Sequence, residues 1–258
     1  MIKEEWMTIV QNKPLALDTY EMILSGELAD FIPDSGQFLH IRIGEGMTHL
    51  LRRPISITNV NPEGKRITII YKMIGEGTKW LKEQQPGHKL HVLGPRGNGF
   101  PVEDVKYEKI LLVGGGVGVP PLYYLARKLI NQHNQVITVL GFQTKKAVFY
   151  EKKFAQLGNM LLVTEDGTAG FKGRVTDFLP SFRDEIDRYY TCGPAGMLKA
   201  VTKCMDTIPG FLSLEERMGC GIGACFACVC KTSDPHDHKG YRKICKDGPV
   251  FSAREVIL

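Results

Sequence analysis

The sequence predicts a multidomain chain: a small antiparallel β-barrel, a doubly wound α/β domain and a small C-terminal module. Short alternating apolar runs, separated by turn residues, fill the part before position 100, which is typical of a small barrel. Strand-like and helix-like segments then alternate, as in a parallel sheet covered on both faces. Five of the seven cysteines fall between positions 220 and 245. We expect the domains at residues 1–101, 102–212 and 213–258.

The predicted barrel strands are runs in which apolar residues alternate with polar ones. They lie at residues 37–43, 55–60, 66–74 and 89–93. Proline and glycine interrupt the chain at residues 61–64 and 85–87, so the runs are expected to turn back on one another. The glycine-rich residues 94–100 are interpreted as an interdomain turn.

In the middle of the chain, apolar runs of strand length alternate with longer segments of helical period. Strands are predicted at residues 109–113, 136–140, 160–164 and 188–191. Helices are predicted at residues 119–131, 148–157 and 195 to about 206, and another is expected to begin at 174–179. The cysteine-rich module is expected to finish with a short β segment at residues 250–258.

Composition and charge exclude several classes of protein. The chain is 43% hydrophobic and 24% charged, and its net charge of +5 is spread along the sequence, which does not indicate a nucleic-acid-binding surface. The longest apolar stretch, residues 110–130, is interrupted by glycine, proline and two cations, so it does not predict a membrane span. Acidic residues near the N-terminus argue against a secretory signal. We therefore expect a cytoplasmic protein with reduced thiols.

Four cysteines have the spacing of iron–sulfur ligands. The pattern is C-x4-C-x2-C followed by sixteen residues and another cysteine, in a loop rich in glycine and alanine: Cys220, Cys225, Cys228 and Cys245. This is the plant-ferredoxin spacing for a [2Fe–2S] cluster, and it indicates electron transfer. A structural zinc site is the alternative, although zinc knuckles are usually two well-separated C-x2–4-C pairs. A disulfide framework is disfavoured by the odd number of cysteines.

The remaining thiols and two histidines are interpreted as non-ligands. Cys204 and Cys230 are not needed once four cysteines are assigned. His236 and His238 lie in a polar segment that is expected to be a solvated loop.

Three segments of the barrel could bind a flavin nucleotide. An arginine fork suits a pyrophosphate, an aromatic residue at a strand end could pack on a flavin or adenine ring, and glycines before a helix leave N–H groups for a phosphate. Taken singly, each is also explained as a strand entry, a half-buried tyrosine or a plain turn. The residues are Arg53, Pro54, Ile55 and Ser56, then Ile70, Tyr71 and Lys72, then Gly77 and Thr78.

Two turns of the middle domain could bind a dinucleotide. Residues 113–120 form a glycine-rich turn between a predicted strand and a predicted helix, the context of a phosphate-binding turn, although the G-x-G-x-x-G pattern is not matched. Close packing of strand on helix would also explain these glycines. Cys192, in Cys192-Gly193-Pro194 after another strand, could face a nicotinamide ring or could be a small buried residue.

In this order, these motifs resemble the ferredoxin–NADP reductase superfamily over essentially the whole chain. More narrowly, they resemble the electron-transfer subunits of class B, NAD-dependent dihydroorotate dehydrogenases. The segments that support this resemblance are Arg53–Ser56, Gly77 with Thr78, Cys192–Pro194 and the terminal cysteine pattern.

The resemblance implies a redox role in pyrimidine biosynthesis. The barrel would bind FAD through the nine residues given above, the four cysteines would hold the cluster, and the middle domain would bind NAD. A catalytic subunit with FMN would oxidise dihydroorotate, in a heterotetramer of two copies of each chain. Electrons would then pass from FMN through the cluster and FAD to NAD+. No catalytic acid or base is expected in this chain.

Two other functions remain open at this point. A subunit of an NAD(P)H–ferredoxin or hydrogenase-linked reductase would have the same architecture with a different partner. A binding module with a degenerate reductase fold and a zinc knuckle would be colourless. No residue distinguishes NAD from NADP, so that preference depends on the resemblance alone.

Overall fold

Six strands close into an N-terminal barrel in the computed structural model, which describes residues 2–44, 46 and 49–258. Met1, Glu45, Met47 and Thr48 of the predicted first domain lie outside the described residues. The order around the barrel is β1-β2-β5-β4-β3-β6, with antiparallel neighbours throughout. The elements are β1 (Lys3–Ala16), β2 (Thr19–Ser25), β3 (Phe38–Ile41), β4 (Arg53–Asn61), β5 (Arg66–Lys72), α1 (Glu76–Glu83) and β6 (Lys89–Arg96).

Alternation of side chains explains the barrel. Ile67 and Ile69 of β5 are completely buried, while Arg66 before them is exposed. Successive residues of a strand point to opposite faces, so the buried set fills the barrel interior. The same interior contains Leu24, Ile57 and other buried aliphatic residues from all six strands.

The second domain is a mostly parallel sheet with helices on both faces. Its elements are β7 (Lys109–Gly115), α2 (Val119–Asn131), β8 (Gln135–Phe142), α3 (Glu151–Ala155), β9 (Asn159–Thr164), β10 (Phe171–Lys172), β11 (Arg188–Cys192), α4 (Ala195–Cys204) and β12 (Gly210–Ser213). The strand order is β10-β9-β8-β7-β11-β12-β15, where β15 is the C-terminal strand Val250–Ser252. The chain leaves β7 towards β8 on one side and later returns to β11 on the other. The boundary between β7 and β11 is therefore the switch point of the sheet, where open α/β folds bind ligands.

The C-terminal segment is joined to both other parts. Its strands are β13 (Val229–Lys231), β14 (Tyr241–Lys243) and β15 (Val250–Ser252). The first two form an antiparallel ribbon, whereas β15 pairs antiparallel with β12 at the edge of the large sheet. Phe38 from the barrel and Leu212 from the sheet share one apolar cluster with Cys228 and Cys245.

The predicted fold class is confirmed, but several local predictions are not. Sequence reasoning missed β1 and β2, because β1 is half-exposed along most of its length and so lacks a clear apolar alternation. The helix expected at 148–157 is only Glu151–Ala155, since Tyr150 before it is left-handed with φ 61°. The helix expected from 174 is two 3-10 turns, Val175–Asp177 and Leu179–Phe182, because Pro180 has no N–H to continue an α-helix.

The final β segment is also shorter than expected, and it ends at Ser252. Among the helices in the described part of the chain, none is long and apolar enough to cross a bilayer.

Candidate redox site

Arg53 and the start of α1 lie together on the barrel, although they are far apart in sequence. Gly77 is so close to Arg53 that an added β-carbon would lie 2.7 Å from the guanidinium Nε. The Thr78 hydroxyl accepts N–H bonds from Ile74 at 3.0 Å and Gly75 at 3.3 Å, which fixes the turn before the helix. A cation beside a helix N-terminus is suited to a pyrophosphate, because both supply positive charge and N–H donors.

The structure places the segment Ile70–Lys72 differently from the prediction that its aromatic side chain packs on a flavin or adenine ring. The Tyr71 ring is 2% exposed; its hydroxyl donates to Asn12 Oδ1 at 3.0 Å, and the ring stacks on Tyr20 at 5.7 Å. This buried position does not suit the predicted stacking on a flavin. The groups of this segment that can still contact a cofactor are its main chain and the half-buried side chain of Lys72.

The other residues of the first motif lie along β4, next to β3. Pro54 pairs with His40, Ile55 with Leu39 and Ser56 with Phe38 in the antiparallel register. All three motif residues are partly exposed, so they present an accessible edge of the barrel.

The two turns of the α/β domain meet at the switch point. An added β-carbon at Gly118 would lie 2.3 Å from the main-chain carbon of Cys192, so the turn after β7 packs directly on the turn after β11. Close packing thus explains Gly118. Gly116 is different, because it has a positive φ of 53° and open space around its α-carbon. The two turns therefore form a continuous edge at the carboxyl ends of β7 and β11.

Cys192 lies at this edge as a neutral thiol. Its side chain is completely buried. Burial, followed by the charge of Glu215, raises the pKa of Cys192 well above its ordinary value, and a hydrogen bond with Ser213 only partly opposes this. A thiol kept protonated is suited to packing rather than to nucleophilic attack or metal ligation.

The four cysteines of the C-terminal pattern fall into two pairs. In the first, Cys225 N–H donates to Cys220 Sγ at 3.3 Å, and Cys220 N–H points to Cys225 Sγ at 3.5 Å. In the second, Cys245 N–H donates to Cys228 Sγ at 3.4 Å. The first pair is half-buried and the second is buried, which places one pair nearer the surface.

The electrostatics of the first pair favour a thiolate. Burial alone would raise the pKa of Cys220, but N–H groups of Cys225 and Ile222 outweigh it and lower the pKa to about 6. Hydrogen bonds to sulfur stabilise its anionic form, which is the form that binds iron.

The pairing matches the ligand arrangement of an iron–sulfur cluster. A [2Fe–2S] cluster has two irons with two protein ligands each, so two separate pairs fit it.

The spare thiol Cys230 lies outside the pairs. Its Sγ donates to the Arg242 carbonyl at 3.8 Å, and burial raises its pKa.

Strand β3 and the end of β6 lie between the segment Arg53–Ser56 and the cysteines. His40, which pairs with Pro54, packs its ring against Gly221, where an added β-carbon would lie 2.2 Å from His40 Nδ1. Arg96 donates from Nε to the Gly221 carbonyl at 2.6 Å and from Nη2 to the Cys245 carbonyl at 3.2 Å. Sequence reasoning missed both residues. Arg96 lies in residues 94–100, which were interpreted as a turn. The arginine in that segment was the sequence feature that could have indicated this contact.

Comparison with known proteins identifies the family. The model for the iron–sulfur cluster binding domain of dihydroorotate dehydrogenase B matches residues 215–257, and an oxidoreductase NAD-binding domain matches residues 112–203. The "Dihydroorotate dehydrogenase B (NAD(+)), electron transfer subunit" of Bacillus mycoides (strain KBAB4) is 50% identical, over 100% of both chains. The chain belongs to this family of electron transfer subunits. The relative from Shouchella clausii (strain KSM-K16), of the same name, is 51% identical over 99% of each chain.

Solved structures confirm the reductase fold of this dihydroorotate dehydrogenase B family member. A chain from the NADH-dependent reduced ferredoxin–NADP oxidoreductase structure, described for flavin-based electron bifurcation, has a TM-score of 0.87 and 30% identity. The match covers 98% of this chain and 90% of that one. The ferredoxin reductase in carbazole 1,9a-dioxygenase matches 80% of this chain and 66% of its own, with a TM-score of 0.68 and 20% identity, and so supports the fold alone.

Proposed function

We propose that this chain transfers electrons from a dihydroorotate-oxidising catalytic subunit to NAD+ in the de novo synthesis of pyrimidines. One observation carries the proposal: β3 has the flavin motif on one side and the cysteine loop on the other, in a chain that is 50% identical along its whole length to named subunits of this enzyme. The overall reaction balances as dihydroorotate plus NAD+ giving orotate, NADH and a proton. We assign residues 1–101 to flavin binding, 102–212 to NAD binding and 213–258 to the cluster.

Each proposed cofactor site uses groups that the fold brings together. Arg53 and the N-terminus of α1, with Gly77 and Thr78, would bind the FAD pyrophosphate. Residues Pro54, Ile55 and Ser56 and the main chain of Ile70, Tyr71 and Lys72 would line the rest of the flavin. The thiolate pairs Cys220 with Cys225 and Cys228 with Cys245 would hold the [2Fe–2S] cluster. When bound, the cluster exchanges single electrons and FAD exchanges one or two, which connects the partner's FMN to hydride transfer.

The chain's own contribution is to position these groups. The edge formed by the turns after β7 and β11 would hold NAD+ at the switch point, with Cys192 neutral and buried beneath it. The buried wall made by β3 and Arg96 would keep water out of the space between flavin and cluster.

The proposal includes a catalytic partner that carries FMN, in a complex with two copies of each chain. The cysteine loop has exposed apolar side chains, with Ile222 45%, Phe226 61% and Val229 41% exposed. Apolar residues grouped at the surface around a redox site are typical of a docking face. A location in the cytoplasm is part of the same proposal, because the thiols must stay reduced to bind iron.

The first test is a tagged purification of this chain from its native cells, followed by an assay for dihydroorotate-dependent reduction of NAD+. We expect a yellow-brown complex that contains a second chain with FMN and is active. A coloured complex that is inert with dihydroorotate would instead favour an NAD(P)H–ferredoxin or hydrogenase-linked reductase. A colourless protein would contradict the redox proposal altogether.

A matched pair of variants tests the cysteine assignment. Cys225→Ser should lose the visible absorbance of the cluster and physiological turnover while retaining FAD. Cys230→Ser, which changes a thiol in the same module, should retain both. Full dihydroorotate-dependent turnover in Cys225→Ser would contradict the proposed route of electrons.

A further inference from the structure

Arg96 is a buried cation whose hydrogen bonds go to neutral groups. Its side chain lies at the end of β6, and the residue is 7% exposed. Its two interactions are with the carbonyl oxygens of Gly221, at 2.6 Å, and Cys245, at 3.2 Å. Across residues 2–44, 46 and 49–258, no carboxylate forms an ion pair with it. A buried guanidinium needs a compensating negative charge, because removing it from water is costly.

Arg96 lies between the two segments that carry the cysteine ligands. The two carbonyls that it binds belong to the two cysteine-bearing segments, one beside Cys220 and one at Cys245 itself. A single guanidinium thus joins the first cysteine loop to the returning segment.

His40 is the other polar residue of the wall formed by β3 and Arg96, and it does not supply a positive charge. Burial and the charges of Arg52 and Arg96 lower the pKa of His40 to about 4, so its ring is neutral at physiological pH. Neither of its ring nitrogens has a hydrogen-bond partner among the described residues. Arg96 is therefore the charged group in this wall that faces the cysteine segments.

We propose that Arg96 is the barrel's countercharge for the iron–sulfur cluster, and that it positions the two cysteine segments and raises the reduction potential of the cluster. This inference rests on the proposed cluster at the four cysteines. A cluster held by four thiolates is negatively charged and becomes more negative when it accepts an electron. A fixed cation in a water-poor setting stabilises the reduced form more than the oxidised one. Loss of the charge should therefore make the cluster harder to reduce.

The experiment is a redox titration of the complex with its catalytic subunit, followed by visible absorbance and by electron paramagnetic resonance. Arg96→Gln removes the charge while keeping amide donors, and Arg96→Lys keeps the charge. Lys246→Gln is the matched control, because Lys246 is next to Cys245 but exposed, where solvent screens its charge. We expect the midpoint potential of the cluster to fall in Arg96→Gln and to stay close to that of the wild type in Arg96→Lys and Lys246→Gln.

If Arg96→Gln assembles poorly, the iron content of the variants still tests the inference. Loss of iron in Arg96→Gln with iron retained in Arg96→Lys would support the countercharge. Equal loss in both variants with FAD retained would overturn it, as would a wild-type potential in a fully loaded Arg96→Gln. A wild-type complex without any cluster signal would instead overturn the proposed function, so the two failures are distinguishable.

Discussion

Gly77 and Arg53 are in direct contact, since a β-carbon at Gly77 would lie 2.7 Å from Arg53 Nε and 2.9 Å from Nη2. The first turn of α1 is thereby the surface on which the guanidinium rests. Glycine at this position leaves room for the cation of the proposed pyrophosphate site, because any side chain would occupy the same space.

Gly77→Ala should displace Arg53 and weaken FAD binding without unfolding the barrel, because the end of an arginine side chain can move. Losing a hydrogen bond from a charged group costs about 1.5–3 kcal/mol, which corresponds to at least about a tenfold loss of affinity. The measurement is FAD content after purification and FAD affinity on reconstitution. Gly196→Ala is the control, since Gly196 lies in α4, outside the proposed FAD site, and nothing lies within 4 Å of its added β-carbon. Equal FAD affinity in both variants would contradict the assigned role of Arg53.

Gly118→Ala should destabilise the α/β domain, because the added methyl group would meet the main chain of Cys192 at 2.3 Å. Backbone atoms cannot move aside as a side chain can, so we expect a loss of about 1–3 kcal/mol in the free energy of unfolding. Gly196→Ala, in α4 with no atom within 4 Å, should instead be stabilising by about 0.5–1 kcal/mol. Denaturant unfolding checks both, and an unchanged midpoint for Gly118→Ala would show that the two turns are not tightly packed.

Glu21 joins the barrel to the α/β domain and should make stability depend on pH. The Tyr150 hydroxyl donates to Glu21 Oε2 at 2.6 Å across the domain boundary. Burial raises the pKa of Glu21, but the Tyr150 hydrogen bond and the charges of Lys153 and Lys13 outweigh it, so the net pKa lies below the ordinary value. The carboxylate therefore stabilises the folded protein above its unfolded-state pKa, and this contribution is lost as the pH falls through the folded-state pKa.

Glu21→Gln should lower the free energy of unfolding at pH 7 by about 1–3 kcal/mol, the cost of disrupting a buried charged hydrogen bond. The difference in the free energy of unfolding between variant and wild type should decrease as the pH falls below about 4.5, where the carboxylate of the unfolded chain is protonated. Thermal unfolding across this range is the measurement. Glu27→Gln, which alters an exposed ion pair with Lys65, should leave the curve unchanged. If this difference in the free energy of unfolding does not depend on pH, Glu21 contributes through its packing and not through its charge.

Phe226→Ala should weaken assembly with the catalytic subunit while preserving cluster and FAD. The ring is 61% exposed beside the cysteine loop, so its apolar surface is available to a partner. We expect about a tenfold or greater loss of affinity, the effect of truncating an aromatic anchor at an interface. Phe171→Ala is the comparison, because Phe171 is 55% exposed on β10 at the opposite edge of the sheet. Analytical ultracentrifugation of each variant with the partner gives the affinity. Equal losses of affinity in the two variants would show that Phe226 is not part of the docking face.

Local patterns in the sequence predicted the parts of the site that are close together along the chain. Cys220, Cys225 and Cys228 are neighbours in one loop, so their spacing alone indicated the kind of cluster. The doubly wound sheet was likewise predicted, because strand-like and helix-like segments alternate along that part of the chain. Arg96 and Gly221 are 125 positions apart, and no periodicity or motif links them. Their contact arises from how the barrel packs on the cysteine module, and packing between distant segments is not encoded in local patterns.

The pairing of Ser213 in β12 with Val250 in β15 places all four cysteine ligands inside one long hairpin connection. Residues 214–249 leave the sheet and return to it at adjacent positions, so the cysteine loop is an insertion between two paired strands. Closing so long a connection costs little more entropy than closing a short one, because that cost rises only with the logarithm of loop length. Evolution could therefore have gained, lost or exchanged the electron carrier as a cassette, with the nucleotide-binding sheet left intact on both sides of the insertion point.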